Sequence, residues 1–230
     1  YRKDIIQIAD FFSANKFKNE KFDLITSISM FYDLPDPSSF AEDIYNILKT
    51  NGIWHIELSY MPMMIKNLSY DTICHEHLEY YSLKSLKYLL DKVNLKIVDL
   101  SFNQINGGSI ALDIAKKSSK LKEVSYLINW VLESERINKY NDLHKQKDFF
   151  KKCQKHKYLL KKLLINLKNQ NKKIYGYGAS TKGNVILQYC NIDSKIIPFI
   201  GEVNKFKYNK YTPGSKIKII SEKKLKNKKI

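Results

Sequence analysis

Hydrophobic and polar positions alternate with two different periods along the first half of the chain. Short apolar runs predict strands, and longer runs with apolar residues three or four positions apart predict helices. The predicted strands are 4–9, 21–29, 53–60, 95–102 and 108–117. The predicted helices are 36–52, with Pro37 near its start and Gly52 after its end, and 82–94. Strands that alternate with helices predict a parallel sheet with crossover helices, and the hairpin 95–117 adds an antiparallel edge.

The second half of the chain has a different organisation. Residues 119–171 are rich in lysine and predict two long helices that link two domains. Residues 172–192 then predict a strand, a Gly-rich turn and a helix, and 195–203 predicts a further strand. The predicted fold is therefore α/β with three parts, 1–118, 119–171 and 172–230, of which the last begins a second, Rossmann-like βαβ unit.

The strongly basic composition changes this picture little. The chain has 230 residues, 43% of them hydrophobic, and a formal net charge of +17. Such a charge is typical of nucleic-acid-binding proteins. However, only Arg2 and Arg136 among the 40 basic residues are arginine, the side chain that best matches bases and phosphates. Lysine on helix faces is ordinarily solvated surface, so we do not predict a nucleic-acid partner.

Membrane and redox signals are weak. No run of about 18 apolar residues predicts a membrane span. The N-terminal residues do not have the organisation of a signal peptide. The three cysteines, Cys74, Cys153 and Cys190, are too far apart for a zinc knuckle and odd in number for a disulfide framework. We expect a reducing, cytoplasmic setting.

The segment 69–86 concentrates polar chemistry. It contains His75, Glu76, His77 and Glu79 among three tyrosines, and it runs into the predicted helix 82–94. On a strand the two histidines would share a face and could bind a metal. Alternatively, they are satisfied polar residues at a domain junction. We favour acid–base chemistry, because a carboxylate beside an imidazole makes a proton acceptor near neutral pH.

Three other places combine polar groups with predicted turns. Asp10 and Phe11 follow the predicted strand 4–9, where ligands of parallel sheets bind, but they could equally cap a helix and fill a core. Segment 27–37, which contains Ser29 and Met30, is either a ligand loop or a plain connection. The Gly-rich turn 175–184 could cradle an anion beside Lys182, or it could be a tight turn that serves packing alone.

Together these segments resemble the C-methyltransferases that act on nucleotide-linked ketosugars. The motifs that carry the resemblance occur in the family's order and are YDTICHEHLEYYSLKSL, NQINGGSIALDIAKK, GYGASTKGN and NKYTPGSKIKI. The resemblance covers nearly the whole chain. It implies the later part of a class I methyltransferase Rossmann-like sheet, with strands three to five at 4–9, 22–28 and 53–59. It also implies that an N-terminal zinc-binding part, the Gly-rich cofactor turn and the extreme C-terminus lie outside this sequence.

The resemblance further implies a mechanism and its residues. A base removes a proton next to the sugar's ketone, and the enolate attacks the methyl group of S-adenosylmethionine; His77 would be the base and Glu76 its partner. Many members carry a tyrosine where this chain has Cys74, so Tyr80 or Tyr81 would have to stabilise the enolate. The remaining implied residues are Asp10, Phe11, Ser29 and Met30 for the methyl donor, and His75, Tyr80, Asn106, Gly107, Gly176, Gly178, Ser180, Lys182, Tyr211 and Pro213 for the nucleotide-diphosphate sugar.

Other functions stay open at the level of sequence. They are methylation of another small molecule, a non-catalytic module that binds nucleotide sugars or nucleic acid, and a metal-dependent enzyme built on His75 and His77. We expect no metal site in this chain and no membrane partner, and the sequence does not determine the oligomeric state.

Overall fold

The structure, a computed structural model, describes residues 4–18 and 20–227. Within these ranges the chain forms two compact units. The first unit comprises 4–63 and 78–140, and the second comprises 64–77 and 141–227. The segment around the two histidines therefore leaves the first unit and returns to it.

A mixed sheet forms the centre of the first unit. Its strands, within the described residues, are β1 Phe22–Ile28, β2 Leu48–Ser59, β3 Leu95–Asn103 and β4 Ser109–Lys116. They are arranged in the order β1-β2-β4-β3. The pair β1–β2 is parallel, whereas β4 runs antiparallel to both β2 and β3. The predicted hairpin and its antiparallel edge are confirmed.

Within the described residues of the first unit, the helices α1 Pro37–Ile47, α3 Leu83–Lys92 and α4 Ser125–Ile137 accompany this sheet, and α2 Met61–Asn67 begins in the first unit and continues into residues of the second. The side chain of Asp36 caps α1 by accepting a hydrogen bond from Ser39 N, and Pro37 fits the first turn because it has no N–H to satisfy. Ser82 and Ser85 form a reciprocal capping box at the start of α3.

The predicted helix 36–52 is too long, because the last residues belong to β2. Leu48 has an extended backbone and pairs with Phe22 of β1. Gly52 lies inside β2 rather than behind a helix. A Cβ at Gly52 would lie 2.8 Å from the carbonyl oxygen of Phe22, so the close approach of β1 explains the glycine better than a helix end does.

The core of the first unit lies between the sheet and its helices. Alternate residues of β2, such as Trp54, Ile56 and Leu58, are fully buried, as a strand's period of two requires. The helices contribute Ala41, Ile44, Leu83, Leu86, Leu90, Ile128 and Val131 to the same cluster. Phe40 of α1 is partly buried and packs against this cluster.

The predicted strand 4–9 is wrong. These residues form no strand in the structure, and Ile5, Ile6 and Ile8 are exposed. A strand needs the hydrogen-bonding edge of a neighbour, and among the described residues β1 pairs only with β2. An apolar run of six residues indicates the propensity for a strand but not the presence of a partner.

The second unit contains a smaller, parallel sheet. Its elements are α5 Leu143–Asn169, β5 Gly176–Tyr177, α6 Thr181–Tyr189, β6 Phe199–Glu202, β7 Lys218–Ser221 and α7 Glu222–Lys226. The strands of its described part are arranged in the order β5-β6-β7, all parallel. The strand, turn and helix predicted at 172–192 are thus present, and the α/β fold class is confirmed.

The segment 119–171 is divided between the two units. Helix α4 packs into the core of the first unit through Ile128 and Val131. Helix α5 contributes Leu164 to the core of the second. In the described residues, no helix is both long and apolar enough to cross a membrane.

Candidate functional site

Four of the predicted residues of the first unit lie at one edge of its sheet. Ser29 and Met30 follow the carboxyl end of β1, and Asn106 and Gly107 precede β4. The carboxyl end of β2 joins these places, because Ser59 pairs with Ser109 of β4 and Ser29 N donates to the carbonyl of Glu57 at 2.8 Å. Ligands of α/β sheets bind at this edge, so the structure groups these residues as a ligand site would require.

The backbone at this edge is unusual. Ser29 and Asn106 both have positive φ, at 54° and 56°. Gly108 has φ 124°, and a Cβ there would lie 2.5 Å from the Cβ of Met63. Its carbonyl also accepts a hydrogen bond from Tyr60 N at 3.0 Å. Only glycine fits this position, so Gly108 shapes the edge although the sequence analysis did not select it.

Asp10 and Phe11 occupy a loop rather than the end of a strand. The Asp10 carboxylate forms an ion pair with Lys16 at 2.6 Å and accepts a hydrogen bond from Phe11 N at 2.7 Å. The hydrogen bond from Lys16, then that from Phe11 N, lowers the pKa of Asp10. The Phe11 side chain is 92% exposed. The prediction that a strand places these two residues is therefore wrong, while their role toward a donor stays a prediction.

The two histidines lie in a turn of the second unit. The turn, 74–77, is closed by a hydrogen bond from His77 N to the carbonyl of Cys74 at 3.2 Å. His75 is exposed, and its Nε2 lies 4.0 Å from a carboxylate oxygen of Glu76. His77 is half-buried. Because the segment is not a strand, the alternation that would place both imidazoles on one face is absent; within the described residues no group of three His, Cys, Asp or Glu side chains could hold a metal.

A buried tyrosine anchors this histidine segment to the rest of the second unit. Tyr70 lies in a 3₁₀ turn, Tyr70–Thr72, four residues before the turn 74–77. Its hydroxyl lies 2.7 Å from Nδ1 of His156 on α5 and 3.4 Å from Sγ of Cys190 at the end of α6. Burial, and the contact with Cys190, raise the pKa of Tyr70. The phenol therefore stays protonated at neutral pH and can donate to the imidazole.

The Gly-rich turn of the second unit is held by a carboxylate that sequence reasoning missed. Glu202, at the carboxyl end of β6, accepts a hydrogen bond from Ala179 N at 2.8 Å. Lys207 Nζ donates to the carbonyl of the same alanine at 2.7 Å. Gly178 has φ 83°, and Ser180 caps α6 by accepting from Gly183 N. One amide of this turn thus already has an anionic partner within the protein.

The predicted sugar-binding residues of the second unit form two separate groups. Gly176, Gly178, Ser180 and Lys182 lie at or near the carboxyl end of β5, where α6 begins. Tyr211 instead pairs with Lys218 at the start of β7, and Pro213 accepts a hydrogen bond from Gln188 in the last turn of α6. Helix α6 has nine residues, a length of about 13 Å. Within this unit the two groups therefore lie at opposite ends of the helix.

The two tyrosines considered for the enolate differ in access. Tyr80 is half-buried in the first unit, whereas Tyr81 is 5% exposed and its ring packs 5.4 Å from that of Phe31. Burial, with a smaller contribution from Glu79, raises the pKa of Tyr81. A buried phenol cannot reach a substrate without rearrangement, so the geometry favours Tyr80 over Tyr81 for a ligand contact.

A family comparison covers the second half of this architecture. The family of the C-methyltransferase C-terminal domain matches residues 104–229, more than half of the chain. The chain belongs to the C-methyltransferase family. A methyltransferase domain family matches residues 3–100 as well. The family membership expected from the sequence motifs is confirmed.

Relatives of this C-methyltransferase chain agree with the assignment. The C-methyltransferase NovU of Streptomyces niveus is 29% identical over 198 residues, which are 86% of this chain. The chain spans 47% of the length of that relative.

Part of the chain is also similar to solved structures, with low TM-scores. One is a protein of Bacillus halodurans described as a methyltransferase, with 14% identity, 46% of this chain, 75% of that chain and a TM-score of 0.37. Another is the N-methyltransferase NodS of Bradyrhizobium japonicum, with 14% identity, 42% of this chain, 52% of that chain and a TM-score of 0.32.

Two of the residues that sequence reasoning missed carried a readable signal. Gly108 directly follows Asn106 and Gly107, and a run of two glycines before a strand indicates a constrained turn. Glu202 ends the strand that follows the Gly-rich turn, about 20 residues on, where dinucleotide-binding units also place an acidic residue. Its contact with Ala179 N, in contrast, was not predictable from spacing.

Proposed function

We propose that the protein containing this chain is an S-adenosylmethionine-dependent C-methyltransferase that methylates the carbon next to a ketone of a nucleotide-linked deoxysugar. The observation that carries the proposal is the turn 74–77 in a member of the C-methyltransferase family: a half-buried imidazole, His77, directly follows a carboxylate, Glu76. Carbon methylation needs a base, because a C–H bond must be broken before the carbon can act as a nucleophile.

His77 removes the proton from the carbon next to the ketone, and the electron pair of the C–H bond forms the enolate. When bound, S-adenosylmethionine would supply the electrophilic methyl group: the enolate carbon forms the new C–C bond, and the C–S bond breaks with its electron pair left on the sulfur of S-adenosylhomocysteine. The proton remains on the imidazole until it is released to solvent. Glu76 is assigned as the carboxylate partner of the base, a role for which its side chain would have to turn from Nε2 of His75, 4.0 Å away, toward His77.

The donor fits the first unit in part. The carboxyl edge of the sheet, with Ser29 and Met30 at the end of β1, is where such a ligand binds in α/β folds. The exposed Phe11 ring is available to an adenine face. Asp10 fits less readily, because its carboxylate would have to exchange the ion pair with Lys16 for an adenine amino group.

The nucleotide sugar is assigned to residues of the second unit. Lys182 and the first turn of α6 offer a cation and backbone N–H groups to a phosphate, with the amide of Ala179 already engaged by Glu202. His75 provides a polar contact for the sugar. Tyr211 and Pro213, at the other end of α6, are assigned to a different portion of the same ligand.

The proposal is tested with the full-length protein, a nucleotide-linked ketosugar and the methyl donor, with the product mass measured by mass spectrometry. We expect His77→Asn to lower turnover by about 10²–10⁴-fold, the usual contribution of a general base, with donor affinity unchanged. His75→Asn is the matched control and should cost much less, because the His75 side chain is exposed and is not assigned as the base.

Proton abstraction can also be observed without methylation. In deuterated solvent and without the donor, the wild-type protein should exchange deuterium into the carbon next to the ketone, and His77→Asn should not. Exchange that persists in His77→Asn would assign the base to another residue. A wild-type protein that produces neither exchange nor a product heavier by one methylene with nucleotide ketosugars would contradict the proposed substrate class.

A further inference from the structure

Glu135 is a buried carboxylate of helix α4 that the proposed chemistry does not use. Its residue is 2% exposed. Its Oε1 accepts hydrogen bonds from the Tyr60 hydroxyl at 2.5 Å and from Leu83 N at 2.6 Å, and its Oε2 accepts one from Lys84 N at 3.2 Å. These contacts all lie in the first unit.

The partners of Glu135 lie at the two ends of segment 61–82. We call this segment the excursion, because within it the chain leaves the first unit after residue 63 and returns to it at residue 78. Tyr60 follows the last residue of β2, and Leu83 is the first residue of α3. The residues between them, 61–82, include the whole histidine segment. The two ends are also joined directly, because Met61 N donates to the carbonyl of Tyr81 at 2.8 Å and Tyr60 pairs with Tyr81 in an isolated parallel bridge. We name this junction of Tyr60, Met61, Tyr81, Leu83, Lys84 and Glu135 the neck.

Glu135 also lies near the third place where the chain leaves the first unit. Tyr140 N donates to the main-chain carbonyl of Glu135 at 3.1 Å, and the first unit ends at Tyr140. The chain passes between the two units after residues 63, 77 and 140. Each of these three passages therefore lies within six residues in sequence of a residue that is hydrogen-bonded to Glu135.

The chemistry of the neck explains why a charge is buried there. A desolvated carboxylate is costly unless hydrogen-bond donors satisfy it, and here one hydroxyl and two amides at the N-terminus of α3 do so. The first amides of a helix need an acceptor in any case. Burial and the hydrogen bond to Glu135 raise the pKa of Tyr60, so its hydroxyl remains a donor. Loss of the carboxylate would leave these donors buried and unsatisfied, and the two ends of the excursion would lose their common partner.

We infer that Glu135 is a positioning residue, which closes the neck and thereby fixes the two ends of segment 61–82, the segment that carries His77. The inference rests on the proposed function for its catalytic consequence, but the neck itself rests on the contacts of Glu135 alone. Glu135 touches no reacting atom in this scheme and acts through the backbone of segment 61–82.

The first test measures amide hydrogen exchange in the full-length protein. We expect Glu135→Ala to speed exchange at the bonded amides of the neck, Met61, Leu83 and Lys84, by about tenfold or more, while the amides of β3 and β4 are little changed. The matched control is Val131→Ala, which removes a buried side chain from the same helix, one turn away, without touching the neck. It should speed exchange more evenly over the first unit. If the two variants showed the same pattern of amide exchange, the inference that Glu135 closes the neck would be overturned.

The second test separates positioning from stability. At a temperature where both variants stay folded, Glu135→Ala should lower kcat by about 10²-fold, the scale of a misplaced reacting group, and leave the KM of the methyl donor within about twofold. Val131→Ala should keep kcat. Glu135→Gln should recover kcat to within about threefold of wild type, because its amide oxygen still accepts from Leu83 N.

The outcomes of the two tests distinguish the neck from the proposed function. Faster local exchange with unchanged kcat would overturn the positioning role. A wild-type protein without methyl transfer would overturn the proposed function, and the exchange pattern would then support or overturn the neck by itself.

Discussion

Two buried glutamates, one in each unit, both accept hydrogen bonds from backbone amides, but their partners differ in distance along the sequence. Glu135 accepts from a hydroxyl and an amide that lie 75 and 52 residues away in sequence. Glu202 accepts from Ala179 N and from the amides of the two residues that follow it, Val203 and Asn204. Glu202 is 8% exposed and lies 3.9 Å from Lys207, whereas Glu135 is 2% exposed.

The difference teaches what each carboxylate stabilises. The bonds of Glu135 join three elements, since its carboxylate on α4 accepts from Tyr60, directly after β2, and from the first two amides of α3. The bonds of Glu202 shape one local turn and connect it to the Gly-rich turn. A local turn can relax when its acceptor is lost, whereas a junction of distant elements loses several contacts together.

Removal of Glu135 should therefore have the largest effect on stability. Glu135→Ala should lower the free energy of unfolding of the first unit by about 3 kcal/mol, because three buried donors lose their acceptor at roughly 1 kcal/mol each. Both tryptophans, Trp54 and Trp130, lie in the first unit. Urea unfolding followed by tryptophan fluorescence therefore reports this unit, and an unchanged midpoint would contradict the prediction.

Removal of Glu202 should have a smaller and differently placed effect. Glu202→Ala should destabilise the second unit by about 2 kcal/mol, less than the loss at Glu135, since the freed amides of Val203 and Asn204 can reach water. Hydrogen exchange at Ala179 and along β6 should increase, with the tryptophan transition unchanged. A shifted tryptophan transition would show that Glu202 stabilises both units and would end the contrast between the two glutamates.

Acid should weaken the contribution of Glu202 without any mutation. Hydrogen bonds from Asn204 N and Ala179 N lower the pKa of Glu202 in the folded protein. A carboxyl with a lowered folded pKa adds stability that is complete above its unfolded pKa, about 4.3, and is lost as the pH falls through the folded value. The stability difference between wild type and Glu202→Gln should therefore shrink from pH 6 to pH 3. A difference that is constant over this range would contradict the prediction.

The contrast also marks what the sequence could predict. Elements with a strong apolar period were found with good boundaries, as α3 and the strands β1, β3 and β4 show. In contrast, the strand predicted at 4–9 and the end of the helix predicted at 36–52 were wrong. Both errors concern backbone pairing with β1, which a local pattern does not contain.

The candidate site shows the same limit. The turn 74–77 was recognised because its residue types are unusual, and Ser29 because it follows a predicted strand, whereas Asn106 was implied only by the family resemblance. Glu135 carried no such signal. It lies among lysines and polar residues in a segment interpreted as a helical linker, and a glutamate there is ordinarily exposed. Its burial follows from partners more than 50 residues away, which no short window of sequence can show.

Substitution of Tyr81 has the smallest expected effect. It also tests whether the loss of hydrogen bonds causes the destabilisation predicted for the other variants. The Tyr81 hydroxyl is buried and has no hydrogen-bond partner among the described residues. Tyr60, whose backbone pairs with that of Tyr81, instead donates its hydroxyl hydrogen to Glu135. A buried hydroxyl without a partner loses its hydrogen bonds to water on folding and gains none in return, so Tyr81→Phe should raise the free energy of unfolding slightly, by up to about 1 kcal/mol. Tyr60→Phe, the matched control, should cost about 1–2 kcal/mol, because Glu135 loses a donor. Urea unfolding followed by tryptophan fluorescence compares the two variants directly. If Tyr81→Phe lowered the free energy of unfolding as much as Tyr60→Phe, the Tyr81 hydroxyl would be hydrogen-bonded in solution. The hydrogen bonds of the neck would then include this side chain as well as its backbone.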